Sequence, residues 1–312
     1  DVYKRQAYTY PGSGPTVVGD HIQVAKFLAS PTLVQRRVNE LANQRYISDV
    51  LLTGRVSGVS GGAVQYDVDE DNYTVREPEA ISPGGEYPLT PISDVAPAVA
   101  KIQKFGQDTI LTDEKIKRSG MNEAERGFNK LVNSNVRKVD SIGLSLIGSV
   151  VSATHAAAAA WTGTNVNPLR DILLAKAKVT ALDKGYDPNV IVANDEVFAL
   201  LASDQQLAAF YAREDRTNPA YTGSFPIVAG MRVLPTNHLP AGVEALIVDT
   251  NFLGGMAFED LGGGYQGSAA TGVETKSIRV DLTDEWRLRA RRPLTHYVTD
   301  PGAAIKLTGI TA

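Results

Sequence analysis

Between Met121 and Val150 the apolar residues Met121, Ala124, Phe128, Leu131, Val132, Val136, Val139, Ile142, Leu146 and Val150 recur at steps of mostly three and four. That spacing is the repeat of an α-helix with one apolar stripe, and it predicts a single amphipathic helix of about eight turns. Such a helix is far longer than the globular mean of about 11–12 residues. Gly127, Gly143 and Gly148 fall inside it, each costing up to about 1 kcal/mol of helix propensity, so tertiary packing or partner subunits must hold it. Upstream, Thr112 followed by Asp113 and Glu114 predicts a helix start: a capping hydroxyl, then acidic residues that suit the helix dipole.

The rest of the chain changes period. Residues 1 to 45 open with YPGSGPTVVGD and read as an extended arm with one short helix near SPTLVQRRVNELA. From Tyr46 to Pro91, ISDVLLTGRV, AVQYDVD and NYTVRE read as strands of a long β-ribbon, ending in the breaker-rich ISPGGEYPLTPIS. VAPAVAKIQKFGQDTIL alternates again. Leu169 to Lys184 is expected to be helix, DPNVIVAN a buried strand, and Asp195 to Ala212 a helix capped by Asn194. FPIVAGMRVLP, AGVEALIVDTNFLGGMAFED, TKSIRVDLTDEWRLRARRPLTHYVT and AAIKLTG follow as strands. The predicted fold class is α+β.

Within WRLRARR, side chains alternate along the strand: Trp286, Leu288 and Ala290 share one face, and Arg287, Arg289 and Arg291 share the other. A row of cations is unexpected in a chain whose formal net charge is -4. Three readings stand: a solvated sheet face, contact with phosphate, or salt bridges across a subunit interface. The planar fork of arginine suits carboxylate pairing at interfaces, which favours the third.

Composition narrows the function classes. The 312 residues are 43 % hydrophobic, ample for one large or two ordinary cores. Cysteine is absent, which removes disulfides, thiol nucleophiles and cysteine-ligated zinc. No run reaches the roughly 18 to 20 apolar residues of a membrane span, and DVYKRQAYTY lacks an apolar h-region, so an intracellular product with no membrane partner is expected. Lys+Arg 31 against Asp+Glu 35 argues against a dedicated nucleic-acid binder. The chain opens on Asp1, as a processed chain or a fragment would.

Several motifs tempt chemistry. Gly58 to Gly62, GVSGG, fits the nucleophile-elbow pattern around Ser60, but the elbow needs a helix after the turn and AVQYDVD reads as strand. GGGYQG at 262–267 fits a dinucleotide fingerprint without the following helix. Asp67, Asp69 and Asp71 have calcium-loop spacing, yet Asn72 and Pro78 stand where glycine and glutamate are needed. His21, His155, His238 and His296 show no metal-ligand spacing. No catalytic, metal or cofactor site is expected.

FGQDTILTDEKIKRS leading into the long helix, DPNVIVANDEVFALLAS, and above all FPIVAGMRVLPTNHLPAGVEALIVDTNF with Gly230, Val233, Leu239, Pro240, Gly242 and Val248 carry a resemblance. So does DEWRLRARRPLTHYVTDPGAAIKL with Pro301, Ala303 and Ala304. Over about 45 to 312 the chain resembles the major capsid proteins of tailed double-stranded-DNA phages, the Hong-Kong-97-type fold. The resemblance implies an N-terminal arm (1–45), an extended β-hairpin loop (46–92), a peripheral domain with the spine helix (93–162), an axial domain (163–265) and C-terminal strands returning to the peripheral domain (266–312).

It also implies a structural protein, not an enzyme, that builds hexamers and pentamers of an icosahedral shell. Its partners would be itself, scaffolding, portal and cement proteins, and packaged double-stranded DNA held by non-specific contact. The place would be the virion, after assembly in the bacterial host cytoplasm. In that setting Arg287, Arg289 and Arg291 would meet an acidic neighbour, with Asp67, Asp69, Glu70 and Asp71 as candidates. No lysine stands between Tyr46 and Ala100, so the lysine crosslink from the extended loop found in some members is not expected. Alternatives are an encapsulin-type compartment shell, a serine hydrolase using Ser60, and a small-molecule binder using the Leu261 to Gly272 loop.

Overall fold

The thirty residues Met121–Val150 form one helix, as their periodicity predicts. The structure is a computed structural model that describes residues 46–69, 73, 74, 76–91, 95, 97–119, 121–163, 166–204, 227–267 and 273–311, together with Ser30. The arm and its expected short helix therefore lie outside the described residues.

In chain order the elements are α1 (Ile47–Leu51), β1 (Arg55–Gly58), β2 (Ala63–Asp67), β3 (Pro97–Lys101), β4 (Gln103–Thr112), α2 (Asp113–Ser119), α3 (Met121–Val150) and β5 (Thr154–Ala156). There follow α4 (Pro168–Thr180), β6 (Val190–Ala193), α5 (Asp195–Ser203), β7 (Arg232–Pro235), β8 (Ala245–Val248), β9 (Gly254–Phe258), β10 (Gln266–Gly267), β11 (Glu274–Val280), β12 (Glu285–Val298) and β13 (Ala304–Thr308). The chain divides into two compact units, each with its own core.

The first unit takes in Ile102–Val139 and Phe258–Leu294, with Ser30 and Tyr46 the described residues before them. Here β4, β12, β11 and β10 pair antiparallel in that order. Leu288, Ala290 and Leu294 of β12 enter a core with Leu111, Ile116, Leu131, Val136, Val139 and Val273. Thr112 begins α2 as expected, its hydroxyl accepting from the Lys115 amide at 3.4 Å. Gly127 of α3 has a use: a Cβ there would stand 3.0 Å from Thr109 Cγ2, so glycine lets the helix lie close to β4.

The second unit is Ile47–Lys101, Asp140–Ala257 and Thr295–Ala312. Its sheet has the order β5-β13-β8-β6-β7, with β6 and β7 parallel and β8 antiparallel to both β6 and β13. All four residues of β6 and of β8 are buried, the unbroken apolar pattern of strands covered on both faces. Helix α4 contacts β8 and β13, and α5 contacts β6 and β7. Each fully buried Val, Leu or Ile contributes about 1.5–3 kcal/mol, which makes this sheet the main stabilising body of the unit. Both helices start on asparagine: Asn167 accepts from the Arg170 amide at 3.0 Å and Asn194 from the Val197 amide at 2.7 Å.

Three expectations need correction. ISDVLLTGRV is not one strand, because Ile47–Leu51 is helical and only Arg55–Gly58 is extended. The Asp140 carboxylate from α3 accepts from the Ile47 and Ser48 amides at 3.3 and 3.1 Å and from the Ser48 hydroxyl at 2.7 Å, doing for α1 what an N-cap residue does from within the chain. The adjacent Leu51 and Leu52 are both fully buried, which a half-exposed alternating strand does not allow. Of NYTVRE, the described residues Tyr73, Thr74, Arg76 and Glu77 are not strand, and none of the described residues from Tyr73 to Pro91 joins a ladder. Pro78, Pro83, Pro88 and Pro91 remove backbone donors that a ladder needs. Helix α5 closes at Ser203 on an extended Asp204, and residues 205–212 of the expected helix lie outside the described ones. The ribbon that does form is β2 with β3, Asp67 opposite Pro97.

The Asp140 contact generates a prediction. Asp140→Ala leaves two buried donors and one half-buried donor without their acceptor and should lower the stability of the unassembled subunit by about 2–4 kcal/mol, with Asp140→Asn losing less. Urea denaturation checks both, and an unchanged midpoint in the alanine variant would show that the cap does not hold α1.

Candidate functional site

β12 lies between β4 and β11, and the register decides what each arginine faces. Arg287 is opposite Ile110 and Ile278, Arg289 opposite Asp108 and Lys276, and Arg291 opposite Gly106 and Glu274. The three share one face, as alternation requires, and each has a carboxylate partner inside the first unit. Arg289 holds Asp108 through two hydrogen bonds, Nε to Oδ1 and Nη2 to Oδ2, both 2.6 Å. Arg287 Nε donates to Glu285 at 2.8 Å. Arg291 pairs with Glu274 and also donates to the Gly262 carbonyl at 2.7 Å.

Tyr265 sits among these cations. The Arg291 guanidinium lies 3.5 Å from its ring centroid and Lys276 Nζ 5.5 Å, both in cation–π range, and Arg289 donates to its hydroxyl at 3.3 Å. Gly262, Gly263 and Gly264 all have positive φ, a conformation open to glycine at no cost. The tight turn returns Tyr265 onto the row, and Lys276 fixes it by donating to the Gly263 carbonyl at 2.9 Å. The GGGYQG stretch thus forms a loop that carries Tyr265 and ends in β10, with no helix start among its described residues. Lys104, Gly106, Gln107, Asp108, Tyr265, Arg289 and Arg291 border an open cleft of about 340 Å³.

Charge states follow from these contacts. The hydrogen bonds and charge of Arg289 hold the Asp108 carboxyl below its usual value, against the opposing effect of burial. Asp108 in turn raises the Arg289 guanidinium, with the Tyr265 hydroxyl adding to it. Both partners are partly exposed, 39 % for Arg289 and 28 % for Asp108, so solvent screens the pair to about 1 kcal/mol or less.

Two further arginines belong to this sheet and were not among the candidates read from the sequence. Arg292 is buried on the opposite face, 4.2 Å from the Tyr46 ring centroid. Arg279, on β11, reaches Asp113 at 2.7 Å, Asp281 at 3.0 Å and Asp284 at 3.3 Å, and the Asp113 hydrogen bond, then that of Asp281, raises its guanidinium. Asp113, read from sequence as a helix-dipole residue, is also its anchor.

The acidic candidates lie in the second unit. Asp67 ends β2 and is exposed. Asp69 has φ 53°, donates its amide to the Thr299 carbonyl at 2.8 Å and meets Lys184 Nζ at 2.7 Å. Glu70 and Asp71 lie outside the described residues. Ser60 is exposed between two strands, the wrong context for an elbow. Ser48, Asp140 and His238 do meet, with His238 Nδ1 3.6 Å from Asp140, but the Ser48 hydroxyl donates to the aspartate and Ser48 is fully buried. That order gives no base-activated nucleophile. Among the described residues no group of three or more His, Asp or Glu could hold a metal ion, and no helix is long and apolar enough to cross a membrane.

Residues 96–307, about two thirds of the chain, match the phage capsid protein family. The chain belongs to that family. No curated protein matches the sequence. Among solved structures, the fold is similar to a structure from Microbacterium phage Oxtober96, at 14 % identity and a TM-score of 0.60 over 85 % of this chain and 91 % of that one. It is similar also to the capsid structure of the cyanophage P-SCSP1u, at 13 % and 0.63 over 85 % and 88 %. The virus-like particle from Pyrococcus furiosus is a third likeness, at 12 % and 0.56 over 88 % and 97 %. The chain therefore has the Hong-Kong-97-type capsid fold, and it is a structural shell protein of the virion, not an enzyme.

Two outcomes follow from the arginine row. The Arg289–Asp108 pair contributes fully above the unfolded carboxyl value of about 4 and is lost as pH falls through the lowered folded value. Asp108→Asn should therefore lower the melting temperature at neutral pH, and the gap to the parent should close in acid, which thermal scans at both pH values check. Gly106→Ala would place a Cβ 2.9 Å from Arg291 Cβ and 3.0 Å from the Ala290 carbonyl, an overpacking cost of about 1–3 kcal/mol that would appear in the same scans.

Proposed function

We propose that this chain is a major capsid protein whose subunits assemble as hexamers and pentamers into an icosahedral shell around phage double-stranded DNA, built in the host cytoplasm. The observation that carries this reading is the segment from Tyr73 to Pro91. Its described residues form no ladder, and Tyr87 and Leu89 are 78 % and 89 % exposed. Ordering such a segment costs backbone entropy that its own contacts do not return, and burial against a neighbouring subunit would return it.

In that shell the division would be one of role: an arm over 1–45, an extended loop over 46–92, a peripheral domain over 93–162, an axial domain over 163–265 and returning strands over 266–312. The two compact units are divisions of internal contact, so they cut the chain differently. Scaffolding, portal and cement proteins are the further partners.

The arginine row would serve the contact between subunits. Arg287 and Arg289 are 41 % and 39 % exposed, against 10 % for Arg291. Arg287 engages Glu285 through Nε, so the amino groups of its fork are the part that a carboxylate from the 67–71 stretch of a neighbour would meet. Arg289 is committed to Asp108 on both arms, and its reversal would disturb folding as well as assembly. Arg287 is therefore the cleaner probe.

Size-exclusion chromatography with negative-stain electron microscopy of the expressed chain should show closed shells or capsomer rings. A persistent monomer, with and without co-expressed neighbouring phage proteins, would overturn the shell reading, and protein cargo in place of DNA inside native particles would favour the encapsulin-type alternative. Arg287→Glu should give folded subunits with at least tenfold fewer shells. Replacing residues 74–90 by a short Gly-Ser linker should also leave the circular dichroism spectrum and lose the shells; normal shells from either variant would remove that contact from the interface.

A further inference from the structure

The two helices on the sheet of the second unit present solvent faces of opposite sign. On α4, Arg170, Leu173, Leu174, Ala177 and Lys178 are all exposed, and at about 100° per residue they fall within an arc of about 140°. Leu173 and Leu174 are 47 % and 46 % exposed, adjacent leucines left uncovered on a helix whose other side, with Ile172, Ala175 and Val179, is buried in the core. Asp171, the one acid of the helix, is not on that face: it is buried and accepts from the Trp161 indole at 3.0 Å. Lys176, beside the face, is paired with Asp187 at 2.8 Å. On α5 the exposed residues are Asp195, Glu196, Ala199, Ala202 and Ser203, an arc of about 120°. That face has two acids, no cation, and only short side chains beyond its first turn.

The two faces complement each other in charge and in shape. Leucines stand out from α4 between two cations, while the alanines of α5 leave a shallow strip beside two carboxylates. Side chains that ridge one helix pack into the grooves of another, and small residues in the groove let large ones enter. The two faces cannot meet within one chain, because α4 turns its buried side to β8 and β13 and α5 turns its own to β6 and β7 of the same sheet. A contact between two different patches, each present once per chain, is head-to-tail, and it repeats from copy to copy until a ring closes. Both helices sit on one sheet with a continuous core, so the spacing between the two patches is fixed, as a closing ring requires.

We infer that the Leu173–Leu174 face of α4 receives α5 of a second copy of this chain, with Arg170 and Lys178 beside the leucines meeting Asp195 and Glu196, so that copies of the second unit stand head-to-tail in a ring. The inference rests on the shell reading and gives it a contact separate from the arginine row of β12 and from the Tyr73 to Pro91 segment. A single helix pair is small beside the roughly 1,200–2,000 Å² of a stable interface. The contact therefore orders neighbours inside an assembly and does not hold a free dimer.

The chain has no cysteine, so introduced cysteines report this contact without background. Shells or rings of each variant are identified by electron microscopy and treated with a short bis-maleimide, whose reach tolerates a shift in register. Leu174→Cys/Ala199→Cys should give a ladder of covalent multimers on denaturing gels that ends at the ring size, and each single-cysteine variant should remain monomeric. Dimers from Leu174→Cys alone would show that α4 meets α4, and crosslinking of Leu174→Cys to Leu89→Cys in place of Ala199→Cys would give the face to the extended segment of a neighbour; either result overturns the inference. Separately, Arg170→Glu/Lys178→Glu should keep the circular dichroism spectrum and lower the yield of assemblies at least tenfold. Adding Asp195→Lys/Glu196→Lys to that variant should restore most of the yield, a rescue that a role within the subunit alone does not give. Parent assemblies with no ladder from the double-cysteine variant would overturn the helix contact and leave the shell reading standing, whereas a parent that forms no assemblies would overturn both.

Discussion

The pairing of β12 on both of its edges constrains most of the first unit. Ten residues of β12, Glu285 to Leu294, are held in register against Thr112 to Gln103 of β4, while Glu285 to Arg291 pair with Val280 to Glu274 of β11. Because side chains alternate with period two, a slip of one residue would turn Leu288 and Ala290 out to solvent and drive three guanidinium groups into the core. The hydrophobic core and the arginine row are therefore two results of one register. Gly106 and the Arg289–Asp108 pair secure it from the polar side: one leaves room beside Arg291, and the other ties two strands by a bidentate contact.

The long helix shows why glycine can be retained where propensity disfavours it. Gly143 and Gly148 lie where a Cβ would stand 2.7 Å from Ser48 Cβ and 2.8 Å from Pro240 Cγ. The small loss in helix propensity is offset by close approach of other segments, including α1 and its Asp140 cap. Gly255 does the same in β9, where a Cβ would run into the Arg55 carbonyl, so that β1 can lie against it.

How much of this was legible in the sequence depended on whether the signal was local. The α3 helix, the Thr112 and Asn194 caps, the buried β6 strand and the two faces of β12 were readable, since period and capping act over a few residues, but past Val139 the buried positions of α3 are Leu144 and Ile147, not the expected Ile142, Leu146 and Val150. The helix at Ile47 was not, because its cap comes from an aspartate 93 residues away in the chain. NYTVRE had strand alternation, but prolines further along decided against a ladder. For the arginine row, alternation showed that the cations share a face; it could not show Asp108, Glu274 and Tyr265 beside them, since those contacts arise from register between distant segments. The pairing of Arg279 with Asp113, 166 residues away in the chain, had no local signal either.

The prolines between Tyr73 and Pro91 have a consequence for the life of the subunit before assembly. A shell protein is made in many copies within one cell, and each unassembled copy displays Tyr87 and Leu89. An exposed apolar segment with free amide donors is a template for cross-β stacking. Pro78, Pro83, Pro88 and Pro91 interrupt any such stack at intervals of three to five residues, because each removes a donor and fixes φ. The segment can thus remain sticky enough to dock and still be a poor seed for fibrils, which is the balance that high-concentration self-assembly demands.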